Sequence, residues 1–256
     1  MDRATYLYSV VKRATRPDLA KAPGGVAGAT RPEVVPVGKS LWLIVAEVPL
    51  ELYGPEQIES ALRDLRWVGD VALAHEAVVE YVGRLRGATV IPMKLFTLFT
   101  TRERAVEEIQ GRRRDLESVA RRITGSEEWG VRVTRAPRPG ARAQGTRAAS
   151  GAEFLTAKKR TRDAAREAVV VAAHAANEAF DALSRIARDA RRRTDAPQGA
   201  TSPPLLDAAF LVPAERRTRF RSAARRIATA CARAGAELTL TGPWPAYNFV
   251  RPEERR

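Results

Sequence analysis

With a single cysteine, Cys231, the chain cannot form an intrachain disulfide or a cysteine metal cluster, and this usage fits a reducing compartment. Its two histidines, His75 and His174, lie about a hundred positions apart and form no His-x-x-x-His pair. No Gly-x-Ser-x-Gly nucleophile elbow, Gly-Lys-Ser/Thr phosphate loop or dinucleotide fingerprint occurs; Gly24, Gly25 and Gly28 have the wrong spacing. The longest apolar run, residues 41–46, is far short of the roughly 20 residues of a membrane span. The first residues hold an acid and no apolar core, so no secretory signal is expected. These absences point to a soluble, intracellular protein with no recognisable nucleophile, cofactor or metal motif. Aromatics make up only 6% of the residues, so the 45% apolar content rests heavily on alanine and the core must be built from many modest contacts.

What the chain does have is positive charge. Its formal net charge is +14 and its sequence pI near 10.8, mostly from arginine. Such a field attracts polyanions. Arginine runs at 112–114, 121–122, 191–193 and 225–226, with Lys158-Lys159-Arg160, are scattered along the chain and not interleaved with aromatics. They read first as solvated helix faces. A basic nucleic-acid-associated protein is the alternative reading.

Hydrophobic periodicity gives an α+β chain of two domains, 1–124 and 125–256. In the first half, residues 5–12 and 40–48 read as strands, the second fully buried, with a long Pro- and Gly-rich loop at 16–39. Pro55 opens a helix carrying Ile58, Leu62 and Leu65. Gly69-Asp70 reads as a break, 71–75 as a short strand, 76–86 as a helix and 89–91 as a strand. Thr101 is placed to cap a helix running to about Arg122. In the second half, 128–133 and 205–212 read as strands, 215–234 as a helix stopped by Gly235, and 236–241 as a last strand. A flexible basic loop at 135–151 precedes a long helix over about 152–193, roughly 60 Å in length, and a Pro-rich loop follows at 195–204. The second half has the element sequence of a split β-α-β module.

Candidate chemistry is thin. His75-Glu76 forms a possible acid/base pair, though a glutamate at a helix start is the commoner arrangement. His174 lies in an Ala-rich helix and Cys231 among helical apolar positions, where cysteine acts as a small hydrophobe. Glu107-Glu108 and Glu127-Glu128 are sequence neighbours that do not face one another on a helix.

Seven segments, in order, resemble one family. They are Tyr6-Leu7-Tyr8, His75-Glu76-Ala77-Val78-Val79, the stretch Val90-Ile91-Pro92-Met93-Lys94-Leu95-Phe96-Thr97-Leu98-Phe99, Glu128-Trp129-Gly130-Val131-Arg132-Val133, Gly151-Ala152-Glu153-Phe154-Leu155 followed by Lys158-Lys159, Ala208-Ala209-Phe210-Leu211-Val212, and the ending Gly242-Pro243-Trp244-Pro245-Ala246-Tyr247-Asn248-Phe249-Val250. Together they resemble the gas vesicle protein F/L family of assembly proteins. The third segment departs from the pattern twice: Lys94 stands where arginine is usual, and Phe96 falls at the Phe-Gly step. The resemblance implies a ferredoxin-like N-terminal domain, a C-terminal α+β domain with one long helix, and an accessory role in gas vesicle formation. Its implied partners are the small hydrophobic shell protein and other gas vesicle accessory proteins, and its implied place is the cytoplasm and the gas vesicle. The candidate structural or partner-contact residues are Pro243, Trp244, Pro245, Tyr247 and Phe249 of the ending and Phe154 of the long helix. Two prolines force the ending to run extended, so its aromatics read first as a clasp between domains and second as partner contacts.

Overall fold

The computed structural model describes residues 2–136, 151–193 and 203–250, with side chains from 155 onward in the second stretch. The expected loops at 135–151 and 195–204 fall mostly outside these residues. The chain divides into two compact units, one of Met1–Glu127 with Trp244–Arg256, the other Glu128–Pro243.

In the first unit, β1 (Arg3–Lys12), β2 (Glu33–Pro36), β3 (Leu41–Pro49) and β4 (Thr89–Pro92) form a sheet in the order β2-β3-β1-β4, and β5 (Leu98–Phe99) also pairs with β1. The pairs β1–β3, β1–β4 and β2–β3 are antiparallel. Tyr6, Tyr8, Ile44 and Ala46 belong to one core, while Leu7, Val10, Leu43 and Val45 are buried in alternation with them. Burial on both faces explains the continuous apolar run of β3. The strand β2 falls within the segment read as loop; its four residues pair only with β3, at the sheet edge.

Short helices α1 (Leu50–Tyr53) and α2 (Pro55–Ala61) lead into α3 (Leu65–Gly83), capped by Asp64, whose carboxylate accepts from the backbone of Arg66 and Trp67. The expected break at Gly69 and strand at 71–75 are absent: α3 runs straight through both. Val71, His75, Val78, Val79 and Val82 form its buried stripe, and packing of that stripe on β1 and β4 outweighs the β-propensity of Val71. Thr101 does cap a helix, accepting from Arg104 N–H at 3.3 Å. That helix is divided at Arg112 into α4 (Arg102–Gly111) and α5 (Arg113–Ile123).

In the second unit, β6 (Ser126–Arg135), α6 (Gly151–Ser184), β7 (Asp189–Arg192), β8 (Leu206–Pro213), α7 (Arg217–Arg233) and β9 (Ala236–Trp244) follow in β-α-β-β-α-β order. Their sheet runs β7-β8-β6-β9, with α6 and α7 packed on β8 and on each other. The long helix ends at Ser184 rather than near 193, because Asp189–Arg192 pairs antiparallel with β8. Among the described side chains, its C-terminal half joins the core, through Ala172, Ala176, Ala179 and Leu183. Gly130 of β6 stands where a Cβ would meet the Thr241 hydroxyl at 2.6 Å, so the Trp-Gly-Val step is a packing requirement.

The ending, expected with 125–256, groups from Trp244 onward with the first unit. Pro243 is part of β9, an edge strand, where a missing donor is tolerated.

Candidate functional site

The pair His75-Glu76 sits in the middle of α3, and its two side chains do different things. His75 is 1% exposed and shares a 2.9 Å hydrogen bond between Nδ1 and the Tyr6 hydroxyl. The same hydroxyl accepts from the Phe96 N–H at 3.4 Å. Nε2 has no partner of good hydrogen-bond geometry. Burial pulls the imidazole pKa from 6.5 to about 4, partly offset by the Met93 backbone. Burial also raises the Tyr6 phenol and pushes that of Tyr8 up to about 12. The rings of Tyr6 and Tyr8 pack against this histidine with centroids 5.7 and 5.5 Å from it, and Tyr53 packs edge-on against Tyr6 at 6.2 Å. At neutral pH this imidazole is uncharged, and with the buried tyrosines it forms a packed polar core.

Glu76, its neighbour on α3, is half-buried. Its Oε2 accepts from the Tyr247 hydroxyl at 2.6 Å, and burial raises its pKa while that hydrogen bond pulls it back. Here the ending meets α3. The Phe249 ring is fully buried, its carbonyl accepts from Arg122, and a 3-10 turn spans Tyr247–Phe249. A shallow cleft of about 480 Å³ opens beside this contact, lined by Ala72, His75, Glu76, Lys94, Leu95 and Tyr247. The departure at Lys94 therefore falls on the cleft wall. The departure at Phe96 takes φ +60, the left-handed region, with its ring stacked on Trp67 at 5.5 Å and 3°.

The sequence-selected residues thus separate. Tyr247 and Phe249 are held within the first unit; Trp244 is 46% exposed, Pro243 is exposed and Pro245 half-buried. The Phe154 side chain lies outside the described residues. Cys231 is buried, its thiol pKa raised by burial, with Sγ 4.0 Å from the Ala175 carbonyl. His174 is exposed and faces Glu178 at 3.6 Å on the same helix. Among the described residues, no group of three or more His, Cys, Asp and Glu is placed to hold a metal ion. No helix of the described residues is long and apolar enough to cross a membrane.

Periodicity missed one surface. Leu62 precedes α3 and is 49% exposed, Leu65 is 82% exposed and Leu73 is 72% exposed. Leu65 and Leu73 stand about 12 Å apart along α3, with the bare backbone of Gly69 between them. Leu62 and Leu65 keep the spacing of inward positions in the sequence, but the buried stripe of α3 lies elsewhere on its surface. Leu65 and Leu73 leave large apolar side chains on the solvent side of α3.

Comparison with known proteins gives a consistent result. The family model for the gas vesicle synthesis protein GvpL/GvpF matches residues 4–251. Gas vesicle protein L of Streptomyces sp. (strain CB03234) is 26% identical over 269 residues, covering 97% of this chain and 93% of that protein. Gas vesicle protein F2 of Halobacterium salinarum is 27% identical over 247 residues, covering 96% and 91%. The crystal structure of GvpF from Anabaena sp. PCC7120 superposes with a TM-score of 0.67 at 15% identity, covering 99% of this chain and 98% of that one. GvpF from Microcystis aeruginosa gives 0.66 at 14%, covering 97% and 99%. These two structures share the fold.

Proposed function

The chain belongs to the gas vesicle synthesis protein GvpL/GvpF family, and from that premise we propose that it is a non-enzymatic accessory protein that binds the small hydrophobic shell protein during gas vesicle assembly. The observation that carries this reading is the family match across residues 4–251. An apolar shell subunit exposes surface that aggregates unless covered before it joins the wall. The exposed leucines of α3 offer a soluble counterpart to such a surface, and Trp244 adds an exposed aromatic at the start of the ending. In this reading the protein works in the cytoplasm and at the forming vesicle, with other gas vesicle proteins as further partners. The strand orders support a ferredoxin-like arrangement for the first unit and extend it to the second, where the β-α-β-β-α-β order is complete.

Co-expression of the full chain with the shell protein tests the proposal. The two are expected to co-purify, and the double change Leu65→Asp, Leu73→Asp to abolish this without lowering the melting temperature, since both side chains are already solvated. Trp244→Ala is expected to weaken co-purification less. A folded double variant that retains the shell protein in full removes α3 as the contact, and normal flotation of a deletion strain lacking any paralogue removes the role itself.

A further inference from the structure

The net charge of +14 is divided very unevenly. Glu128–Pro243 holds 22 Lys and Arg against 11 Asp and Glu, whereas the rest of the chain holds 22 against 19. Within the second unit one element stands out. Helix α7 contains six arginines and no Asp or Glu, and its first turn lacks the acidic residue that the helix dipole favours.

Several arginines of the other runs are tied up locally. Arg112 and Arg113 pair with Glu108 and Glu117, Arg191 and Arg193 pair with Asp189 and Asp207, and Arg192 lies 4.2 Å over the Phe180 ring. By contrast Arg219, Arg221, Arg225, Arg226 and Arg233 are all exposed and form no ion pair with the described residues.

Their placement on the helix is ordered. Phe220, Ala223, Ala224 and Cys231 face the core. Opposite them runs a line of small hydroxyl side chains, Thr218, Ser222 and Thr229, all exposed. Arg219, Arg226 and Arg233 recur every seven residues along one side of that line, and Arg221 and Arg225 flank the other. Small residues in the middle allow a second helix to approach closely. Arginines at a heptad repeat then meet carboxylates at the same repeat on that helix, where each planar fork can take a carboxylate through two N–H groups.

We propose that the solvent face of α7 docks an acidic helical segment of a partner protein. This interaction is separate from the leucine surface of α3 and does not depend on it. Charge complementarity selects an acidic partner. The heptad spacing selects a helical one, and none of the large exposed hydrophobic side chains lies on α7 to stack bases, which favours polypeptide over nucleic acid.

The test uses the full-length protein and a fluorescein-labelled helical peptide with glutamates at heptad-flanking positions, alongside a labelled DNA duplex of equal charge. At physiological ionic strength the peptide is expected to bind more tightly than the duplex. The triple change R219E, R225E, R226E is expected to weaken peptide binding at least about tenfold. A control triple change to glutamine at Lys158, Lys159 and Arg160, and the matching glutamine triple on α7, remove the same charge from two places. The α7 set is expected to weaken binding several-fold and the control set to stay within about twofold. Circular dichroism melting identifies any variant that fails to fold, and the glutamine pair then decides. Equal losses from both glutamine sets, unchanged binding in a folded α7 variant, or no binding by the parent protein overturns the proposal. Preference for the duplex replaces it with nucleic-acid binding.

Discussion

The first sheet runs β2-β3-β1-β4 and the second β7-β8-β6-β9, so each places its own strands in the order second, third, first, fourth. What joins the first strand to the second differs. In the second unit the link contains α6, 34 residues long, whose backbone groups bond to one another. In the first it is coil, and coil leaves backbone groups that need other partners. Tyrosines and arginines supply them. The Tyr8 hydroxyl accepts from Val26 N–H, those of Tyr53 and Tyr81 donate to the Ala27 and Asp18 carbonyls, and Arg3 donates to the Gly28 carbonyl. Gly25, at φ +82, lies where a Cβ would meet the Tyr8 oxygen at 2.3 Å. One sheet order is therefore compatible with two interiors: a hydroxyl-rich one where coil is pinned down, and an alanine- and phenylalanine-filled one under a helix.

That contrast predicts different ways of breaking each unit. The second should fail through lost volume. Phe220 is fully buried against Trp129 and Phe210, at ring distances of 6.2 and 5.5 Å. Phe220→Ala is expected to cost about 3–5 kcal/mol in urea unfolding. A cost under about 1 kcal/mol would mean that the alanine-rich core closes over the gap.

The first unit should instead fail through its polar interior, and acid is the sharpest probe. His75 has a folded-state pKa of about 4 against 6.5 when unfolded. Below pH 6.5 the unfolded chain takes up a proton that the folded one refuses, so stability is lost as pH falls from 6.5 to 4. The full loss is about 3 kcal/mol. Glu76 acts in the opposite sense: its raised pKa favours the fold as pH falls through that value. Comparing the parent with His75→Gln across this range isolates the histidine. Parallel stability curves would show that the imidazole is not the acid-sensitive group. Tyr8→Phe probes the same interior at neutral pH. It leaves the buried Val26 N–H without its acceptor, at an expected cost of about 1–3 kcal/mol, with no cavity larger than the lost oxygen.

The sequence made this contrast only half visible. Local signals were sufficient for β3, the Thr101 cap and the stop at Gly235, where φ is +73. They failed where tertiary pairing decides. Asp189–Arg192 continues the composition of α6, and only its ladder with β8 makes it a strand. Gly69 reads as punctuation, yet a Cβ there would touch nothing, so the glycine has no special geometry to serve and the helix simply passes through it. The ending was legible as extended through Pro243 and Trp244, but not in its 3-10 turn at Tyr247–Phe249. Its seat was not legible either, because Tyr247 and Glu76 are 171 positions apart and no local pattern links them. The positive charge was visible as a total, but its concentration on α7 emerges only when acids and arginines are matched in space.

The smallest expected effect is also the most diagnostic of how the first unit tolerates its departure from the family pattern. Phe96 holds φ +60, a conformation that costs a residue with a Cβ about 1–2 kcal/mol. Two contacts compensate: a parallel stack on Trp67 and a backbone N–H directed at the Tyr6 hydroxyl that orients His75. Phe96→Ala removes the ring and keeps the strained backbone. Phe96→Gly removes both. Glycine is therefore expected to be the less damaging of the two by about 1 kcal/mol, although alanine usually outranks glycine elsewhere in a chain. Urea midpoints for the three proteins measure the order directly. If alanine proves the more stable variant, the left-handed backbone is not a cost, and the Trp67 stack is no compensation but simply added burial.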